Sequence, residues 1–345
     1  MKTVCICGGG SLGHVIAGYL SAKKGVKVNI LTRKPMQWKH ELHISTPEGS
    51  ILQGNINIIS DNPEEALSGA TIVLLCLPGY AIRGELLKIK PYVSAQTYVG
   101  SVFSSTGFFF EALELLAEDV PLWGFQRVPF IARTHQYGES AHLLGYKNAH
   151  NIAIERCEDK EDFRHLIEEL FDAPVHLLNN YYEASFTNSN PILHPSRLYT
   201  LFKDWDEKVY YDHQFLFYEE WTEEASALLI ALDKELFALL SHLPVAKDYL
   251  MPILPYYEST DAQSLTRKIR SISGFKGIKT PMIHSEEGWQ PDLNSRYFQE
   301  DFNHGLRYIY QEAHRIGVDT PMIDKVYDWG LALAGHQKDT SKQEV

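Results

Sequence analysis

The chain has 345 residues, 44% hydrophobic and 22% charged, with a formal net charge of −12. That length exceeds one ordinary core and predicts two domains. The acidic balance argues against a general nucleic-acid or membrane-surface binder, because both partners are polyanions, and no apolar run approaches the roughly 20 residues of a bilayer span.

Residues 1–120 alternate short apolar runs with helical patterns: TVCICGG, a helix through about Lys24, VKVNILT, ATIVLLCLP and TYVGSVF. Strands alternating with helices imply βαβ units around a parallel, doubly wound sheet. Gly8, Gly9, Gly10 and Gly13 interrupt the apolar start, and no small-residue cleavage site follows, so it is read as a strand entering a turn rather than a leader. NIAIER and PVHLL add strands near 151–156 and 174–178. Beyond them come amphipathic segments at Tyr218–Leu240, Ser264–Ser273, Phe298–Ile316 and Pro321–Ala334. Gly317 fits a helix C′ position, Thr320 an N-cap and Pro321 the first helical residue, and a polar tail from about Gln337 is expected to fray. The expected organisation is an α/β Rossmann-like domain over 1–180 and an all-α domain over 181–345. Cys5, Cys7, Cys76 and Cys157 lack metal-ligand spacing, and Cys5 and Cys7 share one strand face. They read as packing residues in a reducing, cytoplasmic compartment, with no metal site.

Gly8-Gly9-Gly10-Ser11-Leu12-Gly13 places a G-x-G-x-x-G between the first strand and a helix. Gly8 suits the tight turn, Gly10 lets backbone approach a pyrophosphate, and Gly13 lets helix pack on strand. With strand before and helix after, the pattern signals a dinucleotide. An NAD site usually carries a carboxylate at the end of the second strand, for the ribose hydroxyls. Here Thr32-Arg33-Lys34 stands there, and no carboxylate precedes Glu41. A guanidinium pairs with a 2′-phosphate where a carboxylate repels it, so NADP is favoured over NAD. Leu77 and Pro78 end a later strand on the side expected to face the ribose and nicotinamide.

In the second half, a helix over Asn190-Pro191-Ile192-Leu193-His194-Pro195 puts Asn190 and His194 one turn apart. Histidine is the side chain best suited to exchange a proton near neutral pH. Asp301 lies at the edge of the stripe Phe298, Phe302, Leu306, Ile309 and Ile316, with Gly305 clearing room beside it. A half-buried carboxylate needs a partner, and a histidine from another helix is a natural one. Arg296, off that face, has the planar fork that grips a carboxylate.

These motifs together resemble the octopine/nopaline dehydrogenase family, the opine dehydrogenases. The resemblance rests on the glycine motif, N-P-x-x-H-P at 190–195, R-Y-x-x-E-D at 296–301, and Gln126-Arg127-Val128-Pro129-Phe130-Ile131-Ala132-Arg133. It spans roughly residues 2–335. It implies His194 as general acid/base, Asp301 as its dyad partner, Arg296 on the amino-acid carboxylate, and Gln126 near the substrate, with Asn190 and Arg133 as further substrate contacts. The implied reaction joins an amino acid's amine to a 2-oxo acid and reduces the imine with NADPH, in a chain that can form a homodimer. Phe125-Gln126-Arg127-Val128 and Phe302-Asn303-His304-Gly305 depart from the family pattern and bear on the substrate pocket.

Two other readings compete. One is direct reduction of a 2-oxo acid, as in ketopantoate reductases and hydroxyacid dehydrogenases; no lysine beyond residue 180 is followed four places later by the asparagine those enzymes commonly use. The other is a non-catalytic NADPH sensor, which needs no Asn190, His194 and Asp301 set.

Overall fold

Residues 2–340 are described by a computed structural model of the chain, with side-chain surroundings given through Leu333. The tail expected to fray from Gln337 is helical through Thr340 and otherwise lies outside the described residues. Two compact units divide between Thr187 and Asn188.

The first unit begins with β1 (Lys2–Cys7), α1 (Ser11–Ser21) and β2 (Val26–Leu31). A detour through β3 (Glu41–Ser45), β4 (Ile51–Asn55) and β5 (Ile58–Ser60) precedes α2 (Pro63–Ala66) and β6 (Ile72–Leu75). Next come α3 (Gly79–Ile89), β7 (Tyr98–Ser101), α4 (Phe108–Leu115) and β8 (Leu122–Phe125). A hairpin of β9 (Phe130–Gln136) and β10 (Ser140–Tyr146) leads to β11 (His150–Glu155), α5 (Lys160–Phe171), β12 (Val175–Leu177) and α6 (Tyr181–Ser185).

Eight strands form one sheet in the order β12-β11-β8-β7-β6-β1-β2-β5. All its pairs are parallel except β8 with β11, so the expected parallel sheet carries one antiparallel step. The chain leaves β1 for β2 on one side and returns to β6 on the other, the switch point where such sheets open a crevice. Strand alternation divides the core. Val4 and Ile6 of β1 pack with Val15, Ile16 and Leu20 of α1. Cys5 and Cys7 face the other layer, with Ile82, Leu86 and Phe108. The shared face expected for the two cysteines is thus a packing face.

A second sheet, β4-β3-β10-β9, was not anticipated. Its short strands carry only two inward apolar residues apiece where they are best defined, Leu42 and Ile44 on β3, Ala141 and Leu143 on β10. Those four join the core of α1 and cover that helix.

The unit boundary falls seven residues beyond the expected 180/181 because α6 stays with the first unit. Tyr181 N–H donates to Glu155 at 2.8 Å, and its ring meets Phe109 and Phe110.

The second unit contains α7 (Asn190–Phe202), α8 (Glu223–Leu240), α9 (Ile253–Tyr256), α10 (Ala262–Ser271), α11 (Arg296–Gln299), α12 (Arg307–Ile316) and α13 (Pro321–Thr340). One antiparallel hairpin, β13 (Met282–Ser285) with β14 (Gly288–Pro291), interrupts the helices that were expected throughout. The helix expected from Tyr218 starts only at Glu223. Thr222 caps it by accepting from Ala225 N–H, and two glutamates fill the first turn, where the helix dipole favours them. The helix expected from Phe298 is broken by a wide turn over Phe302–Leu306, in which Leu306 N–H reaches the Asp301 carbonyl at 2.7 Å. Such π turns insert one residue and re-aim side chains, often at functional sites. Gly317 ends α12 at φ 72°, in the expected left-handed C′ conformation. Among the described residues no helix is long and apolar enough to cross a membrane.

Candidate functional site

Each unit contains a built site. In the first, β1 delivers the chain to a turn at Gly8, whose φ of 115° excludes ordinary side chains. A Cβ there would lie 2.7 Å from the Cys76 carbonyl oxygen, and one on Gly13 would lie 2.1 Å from the Gly8 carbonyl oxygen. Strand, turn and helix are therefore in direct backbone contact. At Gly10, by contrast, nothing stands within 4 Å of where a Cβ would project. Backbone opens there at the positive end of α1, a cradle that fits a pyrophosphate.

Beside it lies a cavity of about 500 Å³ lined by Gly8, Gly10, Thr32, Arg33, Lys34, Leu77 and Pro78, all expected from the sequence. Ser11, Leu12 and Gly13 were expected there too and do not line it. The Ser11 hydroxyl is occupied by β9, accepting from Thr134 N–H at 3.0 Å and lying 3.1 Å from its hydroxyl. Sequence reasoning missed Tyr137, Glu85 and Lys88, which also line it. Tyr137 comes from the β9–β10 turn, with Lys34 Nζ 5.8 Å from its ring centre. The same turn is pinned to α1 by Gly138 N–H, which donates to His14 Nε2 at 2.7 Å. Glu85 and Lys88 sit one turn apart on α3. Burial pushes the Glu85 carboxyl up from its ordinary value, against the pull of Lys88 and Arg33.

The second site lies wholly within the second unit. Pro191 stands in the first turn of α7, and His194 follows, 5% exposed. From the π turn, Asp301 reaches back to it. His194 Nδ1 lies 2.7 Å from Asp301 Oδ2, across 107 residues of sequence. A carboxylate only accepts, so Nδ1–H is the donor and Nε2 carries the lone pair. Tyr218 O–H donates to that Nε2 at 2.9 Å. Tyr297 stacks on the imidazole at 4.2 Å, and Phe217 meets it edge-on at 5.5 Å. The approach of α7 to the π turn depends on Gly305, where a Cβ would stand 2.9 Å from Pro191 Cγ.

Of the other expected residues, Asn190 heads α7 one turn before His194, its N–H donating to Asn188 Oδ1 at 3.2 Å. Arg296 opens α11, exposed and next to Tyr297, without an ion-pair partner among the described residues. Gln126 and Arg133 belong to the first unit. Both ends of the Gln126 amide are taken: its nitrogen donates to the Glu183 carbonyl at 3.0 Å, and its oxygen accepts from Asn151 at 2.9 Å. Arg133 is exposed on β9, opposite His142 of β10. Tyr218 and Tyr297 are the residues missed here. R-Y-x-x-E-D contains Tyr297, but no local pattern marks Tyr218, which the sequence suggested was helical.

Comparison with known proteins finds matches to both halves of the chain. A family model described as NAD/NADP octopine/nopaline dehydrogenase, alpha-helical domain, matches residues 177–334. A ketopantoate reductase PanE/ApbA model matches residues 4–103. An opine dehydrogenase from Haliotis discus hannai is 26% identical over 95% of this chain and 89% of its own length. A tauropine dehydrogenase from Arabella iricolor is 28% identical over 98% and 92%. Among solved structures, octopine dehydrogenase with NADH and L-arginine superposes with a TM-score of 0.84 at 24% identity, covering 97% of this chain and 90% of that one. Yersinopine dehydrogenase with NADP+ superposes at 0.74 and 14% identity, covering 100% and 93%.

Proposed function

We infer from one premise, that this chain belongs to the octopine/nopaline (opine) dehydrogenase family, that it reductively condenses an amino acid with a 2-oxo acid. The observation that carries this reading is the Asp301–His194 pair, a half-buried carboxylate and a buried imidazole placed in contact. Relatives named opine, tauropine and octopine dehydrogenases support it.

A nicotinamide dinucleotide, held by the glycine turn and the cavity of the first unit, supplies the hydride. His194, with Nδ1–H fixed on Asp301, keeps one nitrogen for proton exchange. Once protonated on Nε2, it can supply the proton that lets water leave as the imine forms, and it is reprotonated from solvent. Asp301 holds the tautomer and stabilises the imidazolium as it appears. The planar fork of Arg296 pairs with a carboxylate. The product carries two carboxylates and needs a second anchor. Arg133 has no described ion-pair partner, whereas Gln126 is spent on Glu183 and Asn151.

Within this proposal NADP is the preferred dinucleotide. Arg33, Lys34 and Lys88 in the cavity wall outnumber Glu85 and suit a 2′-phosphate. Octopine dehydrogenase was solved with NADH and yersinopine dehydrogenase with NADP+, so the choice belongs to this chain's own loop. Cytoplasmic residence, which four free cysteines support, and a homodimer are parts of the same proposal.

A second reading, direct reduction of an oxo acid to a hydroxy acid, draws on the match of residues 4–103 to the ketopantoate reductase model. That match covers the dinucleotide-binding half alone. The test is an oxidation screen with NADPH and NADH, pairing pyruvate, 2-oxoglutarate and glyoxylate with the twenty amino acids. Oxidation that needs both an amine and an oxo acid is expected. Oxidation with the oxo acid alone supports the second reading, and a bound but never oxidised dinucleotide supports a sensor.

A further inference from the structure

Both nitrogens of His194 are occupied. Asp301 holds Nδ1, and the only nitrogen left to trade a proton is Nε2, which faces the Tyr218 hydroxyl at 2.9 Å. Tyr218 is 5% exposed, and its ring is packed among other aromatic rings. Phe275 stacks on it at 4.0 Å with planes 16° apart, and Trp221 lies nearly parallel at 6.2 Å. Trp221 is itself fixed, its indole N–H donating to Ser226 Oγ at 2.9 Å. The backbone is fixed as well. Arg197, 1% exposed and one turn beyond His194 on α7, donates from Nε to the Phe217 carbonyl at 3.0 Å. This packing holds the hydroxyl against Nε2.

We propose that Tyr218 is the outlet of the dyad, its hydroxyl passing the proton between His194 Nε2 and the reacting group. In the forward direction the imidazolium Nε2–H bond breaks and an O–H bond forms on Tyr218. The original Tyr218 O–H bond breaks in the same step, and its proton goes to the substrate oxygen or nitrogen. The imidazole ends neutral, the phenol ends a phenol, and no electrons change hands. Burial pushes the Tyr218 phenol well above its ordinary value, and Tyr297, Tyr257 and Asp301 push it the same way. A free phenolate is therefore disfavoured and the two transfers are concerted. The Tyr297 phenol adjoins Tyr218 and directly follows Arg296, the expected carboxylate anchor, in the chain.

This inference rests on the dehydrogenase reading, and its test separates the two. Tyr218→Phe keeps the stacked ring and removes only the hydroxyl. With a substrate pair found in the screen, kcat should fall about 10²-fold, within the span of general acid–base contributions, while dinucleotide Kd stays at the parent value. The alkaline limb of the kcat–pH profile, where the imidazolium is lost, should move and the solvent isotope effect should change. Fluorotyrosine at position 218, which makes the phenol more acidic with little change in volume, should shift the same limb. Histidine ¹⁵N NMR reads the contact without turnover: the His194 Nε2 resonance should move in Tyr218→Phe while Nδ1 stays. A Tyr218→Phe enzyme that keeps its kcat and pH profile overturns the relay and leaves the dehydrogenase reading standing. Should the parent oxidise no dinucleotide with any pair, the dehydrogenase reading fails, and an unmoved Nε2 resonance then overturns the contact itself.

Discussion

At the glycine turn the recognition surface is backbone, with three glycines removing side chains so that strand, helix and ligand can come close. At the dyad it is side chain throughout: an imidazole, a carboxylate and a phenol from three separate segments, each bonded to the next. The first site is open and stays polar; the second is closed and aromatic. The contrast shows where each kind of chemistry needs its protein. A pyrophosphate is bound by many weak, fixed dipoles, whereas a proton has to be kept from water until it is used. Variants of the two sites should accordingly fail in different ways.

The largest separation is expected at the dyad. His194→Ala and Asp301→Asn should each lower kcat by about 10²–10⁴-fold, and the double variant should lose little more than His194→Ala. Dinucleotide affinity, measured by fluorescence titration, should be unchanged in all three. Losses that multiply would mean the two residues work independently.

Two buried histidines sharpen the comparison through pH. His194 has a carboxylate and a phenol, whereas His150 in the first unit is 3% exposed and its Nε2 has no hydrogen-bond partner among the described residues. Burial lowers its value from 6.5 to about 4. The unfolded chain therefore binds this proton more tightly than the fold. The stability contribution is complete above about pH 6.5, is lost as pH falls through that window, and levels off below about 4. The loss is on the order of 3 kcal/mol at 1.36 kcal/mol per unit. His150→Phe should flatten that part of the stability curve in urea melts between pH 7 and 4. An unaltered slope would place the acid sensitivity elsewhere.

A methyl group added at either site should break that site alone. Gly13→Ala puts a carbon against backbone, and such overpacking costs about 1–3 kcal/mol or more. It should weaken the dinucleotide at least tenfold. Gly305→Ala meets the softer edge of the Pro191 ring and should push α7 from the π turn, lowering kcat while dinucleotide Kd holds. Reversal of the two phenotypes would contradict the assignment of the sites.

The smallest effect is expected from Arg33→Ala, which should weaken NADPH by about 1–2 kcal/mol and NADH scarcely at all. Equal losses for both dinucleotides would make Arg33 a solvated loop cation.

How much of this was legible in the sequence differs between the sites for the same physical reason. A backbone cradle has a local signature, because Gly8, Gly10 and Gly13 must stand at fixed offsets after a strand. Its cavity walls do not, which is why Glu85, Lys88 and Tyr137 emerged only with the fold. Tyr137 arrives on the turn of a second sheet whose strands bury too few apolar residues to stand out by alternation. His194 and Asp301 could be paired because each occupies a costly position within a motif. Tyr218 could not: it precedes a helix that the apolar rhythm ran straight into, and only the Thr222 cap with Glu223 and Glu224 marks the true start. The π turn was equally hidden, since the stripe of Phe298, Phe302, Leu306 and Ile309 also fits an unbroken helix.

The central claim is that hydride is delivered to a carbon already joined to nitrogen. The direct test uses NADPH deuterated at the transferred position, a 2-oxo acid and an amino acid that together support turnover, with the product examined by mass spectrometry. The account predicts a secondary-amine dicarboxylate carrying one deuterium on the carbon that was the oxo-acid carbonyl. A deuterated 2-hydroxy acid, with the amino acid recovered unchanged, would contradict it.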